Sequence, residues 1–148
     1  MKASKTIFSA LLISAALAGP VLAGPAVTVT VKNLGTAAAN YKVLTNNEAI
    51  TKVATNPTPR DSIPVGEIDV YNVQNNQSQL VTFANLRYTI GGKTCVFLAT
   101  YVSTAGPLGS SVPKWNNTAT PSGGATCTAK VTSTNFSTYE WAVEFTMK

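Results

Sequence analysis

Enzymes need side chains that exchange protons, attack substrates or hold metals, and this sequence is sparing with them. It has no histidine, two cysteines and six carboxylates. Without imidazole, serine-type triads and histidine metal sites are excluded. Two carboxylate pairs share a strand face. Glu140 and Glu144 stand about 13 Å apart at the rise of an extended strand, too far for the paired carboxylates of glycoside hydrolysis. Glu67 and Asp69 stand about 7 Å apart, inside that range, but two acids on one strand face read more simply as a solvent face. Asp61, Glu67 and Asp69 could approach a calcium ion, yet together they offer fewer oxygens than such a hard cation takes. The residues therefore describe a protein that is not an enzyme and has no metal site or cofactor.

The tryptophans are the next candidates, for binding rather than catalysis. Trp141 lies in a strict alternation of apolar and polar residues and reads as core. Trp115 lies within STAGPLGSSVPKWNNTATPSGGATC, Ser103 to Cys127, where its neighbours Lys114, Asn116, Asn117 and Thr118 are all polar. Such a tryptophan is either a plug over an open end of the fold or an exposed anchor for sugar, lipid headgroup or protein. Burying Lys114, Asn116 and Asn117 around a plug would be costly without partners, which favours the anchor. Trp115, Lys114, Asn116 and Asn117 are thus the expected binding residues.

These residues must be positioned by an exported chain. Lys2 and Lys5 precede an apolar run from Ile7 to Leu17, and Val21-Leu22-Ala23 forms a small-x-small cleavage site before Gly24. This pattern predicts a signal peptide over 1–23 and a single domain over 24–148. A cut after Ala18 fits nearly as well, and an uncleaved anchor is the third option. The expected location is secreted and extracellular, or periplasmic in a Gram-negative host. In about 125 residues there is room for one core. Outside the leader, nine basic residues face six acidic ones and stand singly, without the clustering of a nucleic-acid footprint. In an oxidising compartment Cys95 and Cys127 have one possible pairing, a disulfide. Asn76, Asn116 and Asn135 begin glycosylation patterns, which matter only in a eukaryotic host.

After the leader the periodicities are those of strands. Val27-Thr28-Val29-Thr30-Val31 alternates, and Tyr41 and Val43 suggest a second strand. Thr45 to Ser62 reads as a long connection with at most a brief strand or helical turn around Ala49 to Val53. Ile68 and Val70 begin another strand. Val81 and Phe83 lie in one phase and Leu86, Tyr88 and Ile90 in the other, as a bulge near Ala84-Asn85 would produce. Gly91-Gly92 then signals a tight hairpin into Thr94 to Val102, apolar on both faces and hence central. In the last strand Tyr139, Trp141, Val143, Phe145 and Met147 share one face.

The expected fold is an all-β antiparallel β-sandwich of about seven to eight strands with one disulfide. Cys95 and Cys127 both begin strands, and in a simple hairpin two strand starts lie at opposite ends. A bridge requires Cα atoms within about 7 Å. The chain from Ser103 to Thr126 must therefore travel back along the preceding strand as a crossover, with a short edge strand around Ser111 to Trp115.

The order VKNLGT, a Pro-containing connection, SIPVGEIDVYNV, KTCVFLATY and a polar loop with a tryptophan resembles that of aegerolysins and the related actinoporin-like sandwiches. This resemblance implies a secreted or cytolytic protein that binds membrane lipids. A second likeness is to fimbrial subunits, through the richness in Thr, Ala and Asn, the single disulfide and the alternating C-terminal strand. The expected function is a secreted, non-enzymatic binding module for membrane lipid or glycan surfaces. The alternative is a structural subunit of a surface appendage or extracellular matrix, whose partner is another protein subunit.

Overall fold

A computed structural model describes residues 23–148, so that all of the expected leader but Ala23 lies outside the described residues. The chain forms β1 (Val27–Asn33), β2 (Ala39–Lys42), α1 (Asn46–Val53), β3 (Thr55–Asn56), β4 (Ser62–Ile63), β5 (Ile68–Val73), β6 (Val81–Ile90), β7 (Lys93–Ala105), β8 (Ser111–Ser122), β9 (Cys127–Thr134) and β10 (Trp141–Met147). One sheet has the order β3-β5-β1-β10-β9 and the other β4-β2-β6-β7-β8. The fold is the expected all-β sandwich, with ten strands among the described residues where about seven to eight were expected, two of the ten being only two residues long. One pairing is parallel, between β1 and β10. Among the described residues no helix is long and apolar enough to cross a membrane.

Alternation explains which faces meet. Val27, Val29 and Val31 of β1 are fully buried, as are Phe145 and Met147 of β10, with Trp141 and Val143 nearly so. Phe97 of β7 stacks on Phe145 across the two sheets, ring centroids 4.6 Å apart and planes 13° from parallel. On β5 the inward residues are Asp69, Tyr71 and Val73, while Ile68 and Val70 face out. The hydroxyl groups of Tyr71 and Tyr88 lie 3.0 Å apart inside this core.

The hairpin at Gly91-Gly92 forms as expected, with Gly91 at a φ of +57° that glycine adopts without strain. The bulge near Ala84-Asn85 does not form. β6 pairs without interruption to β7 from Val81 opposite Val102 to Ile90 opposite Lys93. The small residues Thr82 and Ala84 take the inward positions, and Val81 and Phe83 point outward. The irregularity lies instead between β9 and β10, beside Ala142 and Val143.

The free edge of β6 beyond β2 is closed by side chains. Thr51 Oγ1 of α1 accepts from Asn85 N–H at 2.9 Å, and Asn75 Oδ1 accepts from Phe83 N–H at 2.7 Å. α1 begins with a capping box between Thr45 and Glu48. The buried Glu48 carboxylate also accepts from Leu44 N–H at 2.6 Å and from Arg87 of β6 at 2.9 Å. Burial alone would raise its pKa, but these donors outweigh burial and hold it below the usual glutamate value.

Cys95 and Cys127 form the disulfide, with Cα atoms 5.8 Å apart. The chain between them does return along β7, but as a strand. β8 pairs with β7 from Ala105 opposite Ser111 to Thr94 opposite Ser122. The expected short edge strand within a crossover loop is therefore a full-length edge strand. Pro113 and Pro121 lie eight residues apart, so both occupy positions whose N–H would face away from β7, where no ladder bond is lost.

Candidate functional site

Being a strand, β8 divides the four expected binding residues between its two faces. Lys114 and Asn116 point outward and are exposed, whereas Trp115 and Asn117 turn inward and are half-buried. Asn117 serves the fold. In the amide orientation that satisfies both of its polar atoms, it donates to Ala129 O at 3.1 Å and accepts from Val131 N–H at 3.0 Å. Those are backbone groups of β9, so this side chain closes the gap between the edge strands of the two sheets. The structure therefore does not assemble Trp115, Lys114, Asn116 and Asn117 into one patch.

Trp115 is neither a plug nor a bare anchor. Its ring meets Tyr101 at 5.9 Å and Phe136 edge-on at 5.2 Å, and its Nε1–H donates to Tyr139 O at 3.4 Å. It ties β8 to the loop between β9 and β10. Tyr101 in turn lies against Tyr139, ring centroids 5.8 Å apart and planes 29° from parallel. Four aromatic residues thus meet at one end of the sandwich, and Phe136, 71% exposed, is the outermost.

This end gathers four segments, because the strands that carry them stop in register there. Val27 of β1 lies beside both Trp141 of β10 and Val73 of β5, while Trp141 also faces Thr134 of β9. The segments are the chain at Gly24 to Ala26, the β5–β6 loop, the β7–β8 turn and the β9–β10 loop. Gly24 N–H donates to Asn75 O at 3.0 Å, and Gln74 Nε2 donates to Gly24 O at 2.9 Å, pinning the first segment to the second. A side chain at Gly24 would collide with Thr82 Oγ1, 2.3 Å from where its Cβ would stand. Ser103 and Ser111 hydrogen-bond through their hydroxyl groups at the base of the turn. Asn135 Oδ1 accepts from Ser137 N–H at 2.8 Å and Thr138 N–H at 3.2 Å, fixing the last loop as an Asx turn.

Two positions stand out in the backbone. Among the described residues, the non-glycine residues with positive φ are Leu108 at 56° and Tyr139 at 62°. Both belong to this end. A left-handed conformation at such side chains is costly and persists where surrounding structure imposes it, often at ligand-contact sites. Leu108, between Pro107 and Gly109 at the tip of the β7–β8 turn, is fully exposed, and Leu80 and Val112 nearby are exposed as well.

Between the four segments lies a cleft of about 440 Å³, lined by Gln74, Gln79, Leu80, Tyr101, Ser103, Ser111, Thr138, Tyr139 and Glu140, with Ala23 to Ala26 on one side. Across all four segments Glu140 is the only charged residue. At the opposite end, around Gly91-Gly92 and Gly123, the surface carries Lys93 and Lys148.

Three of the carboxylates considered for chemistry are engaged elsewhere. Asp69 accepts from Arg60 N–H at 2.8 Å and from its Nε–H at 3.3 Å, and Glu67 accepts from Arg60 Nη1 at 3.0 Å. Glu144 pairs with Lys32 at 2.8 Å on the outer face. Glu140 accepts from Thr138 Oγ1 at 3.1 Å at the cleft.

Sequence reasoning missed Phe136, which appeared only as the middle of a glycosylation pattern, and it set Tyr139 on the inward face of the last strand, whereas Tyr139 lies in the loop before β10; Tyr101 is buried, as its strand implies. The signal that could have found them is the disulfide itself. Counting β8 back along β7 from the bridge sets Trp115 opposite Tyr101, and the hairpin before β10 then carries Phe136 to the same end. Compared with protein-family models, curated proteins and solved structures, the chain matches none.

Proposed function

We propose that the protein is an exported, non-enzymatic binding module that attaches to a lipid- or glycan-bearing cell surface through the end formed by Gly24 to Ala26 and the three loops beside it. One observation carries this reading. The exposed Phe136 and Leu108, the half-buried Trp115 and Tyr139, and both left-handed non-glycine residues occur together around a cleft at this end. Exposed aromatic and aliphatic tips with little charge suit a surface that offers apolar contact and hydroxyl groups. The ion pairs of Arg60 with Glu67 and Asp69 further support a non-enzymatic role, since they occupy the carboxylates best spaced for catalysis.

The alternative, a subunit of a surface appendage, would draw on β1, an N-terminal strand seated between β5 and β10. That β10 is paired on both sides within one chain favours the binding module. The test pairs a melting curve with an attachment assay on phosphatidylcholine vesicles and immobilised neutral glycans. Phe136→Ser should shift stability by no more than about 0.5 kcal/mol, as surface substitutions do, while weakening attachment. Trp115→Ala should weaken attachment and cost about 1 to 2 kcal/mol, less than a fully buried aromatic because part of its surface is already open. Unchanged attachment in both variants would refute the proposal.

A further inference from the structure

Resting on that reading, we infer that the cleft at the loop end is a saccharide subsite that takes a neutral sugar ring. The lining side chains carry a single charge, the Glu140 carboxylate, and no basic group. Cleavage before Gly24 would add the Gly24 α-ammonium group to one wall, so that the cleft carries one positive and one negative charge and exerts no net pull on a phosphate or sulfate group. The Gln79 amide offers both donors and an acceptor, Gln74 keeps an acceptor and a second N–H beside its bond to Gly24 O, and Ser103, Ser111 and Thr138 keep acceptor lone pairs beside their bonds to one another and to Glu140. Adjacent sugar hydroxyl groups need this mixture, with a carboxylate accepting from two of them at once.

The cleft also has an apolar wall. Tyr139 is half-buried against Tyr101, and Leu80 is exposed beside it, so C–H groups of a sugar ring would meet aromatic and aliphatic surface while its hydroxyl groups meet the amides. The left-handed backbone at Tyr139 and the Asx turn before it hold that ring in place in advance of any ligand. At about 440 Å³ the space lies within the usual range for small-molecule sites. A peptide strand would instead seek an open sheet edge, and these walls are mostly loops.

The test titrates the purified protein with neutral malto-, cello-, manno-, galacto- and chito-oligosaccharides, read by tryptophan fluorescence, since Trp115 packs against Tyr101 of the cleft wall. At least one series should bind. Gln79→Ala and Glu140→Gln, both at exposed positions, should each weaken that binding about tenfold at unchanged melting temperature, the scale of one lost hydrogen bond to a buried ligand group. Lys93→Ala, at the opposite end, should bind as the parent does. Absence of binding to every series, or equal binding by Gln79→Ala and Glu140→Gln, would overturn the subsite. If vesicle attachment that depends on Phe136 survives that result, the loop end stands as the binding surface and the saccharide assignment alone falls.

Discussion

The tyrosines of the core set how the fold responds to alkali. Burial first, and the nearby Glu48 charge second, push Tyr41 up to about 12, and burial also raises Tyr71 and Tyr88. Tyr71 and Tyr88 share a hydrogen bond that needs at least one hydroxyl proton. A raised pKa means that the folded state prefers the neutral phenol, so this contribution is complete below the unfolded value near 10 and is lost as pH rises beyond it. The melting temperature should therefore hold to about pH 10 and fall steeply above it. A Tyr71→Phe, Tyr88→Phe pair should soften that fall, and a melting temperature flat to pH 12 in the parent would contradict the assignment. Trp115 shows the other limit of reasoning from single residues. Its polar neighbours made it an anchor in the sequence, yet on a strand Lys114 and Asn116 point the other way, and its contacts are with Tyr101, Phe136 and the Tyr139 carbonyl.

At the scale of elements, β10 decides between the two functional readings. It lies between β1 and β9, and its inward face is buried from Trp141 to Met147. Its amides from Ala142 to Thr146 should be among the slowest to exchange in the monomer, together with those of β1. Rapid exchange there would mean that the strand lacks a settled partner and would favour the appendage subunit. This strand was also the most legible part of the sequence, because strict alternation with bulky apolar residues has one reading. The glycine hairpin and the disulfide were legible for similar reasons, a turn with one geometry and a pair of cysteines with one connectivity. β6 was not. Its inward positions hold Thr82 and Ala84 while Val81 and Phe83 face out, so size and polarity misreport the phase. The parallel pairing of β1 with β10 leaves no local mark, since two alternating strands can pair in either direction.

For the whole molecule, the two ends differ in kind. One carries the disulfide, the glycine turns and lysines, and the other carries four segments with one charged side chain, an aromatic cluster and the cleft. That asymmetry was hidden in the sequence because its parts lie far apart along the chain, at Gly24, Gln79, Leu108 and Phe136. Attachment through the loop end is most directly tested by hydrogen exchange of the protein bound to whichever of the phosphatidylcholine vesicles or neutral oligosaccharides it retains. Binding should slow exchange in 24–26, 74–80, 105–111 and 135–140, and leave the turns at Gly91-Gly92 and Gly123-Gly124 as they are in the free protein. Protection confined to those turns or to the outer edge of β8, with the four loop segments unchanged, would contradict it.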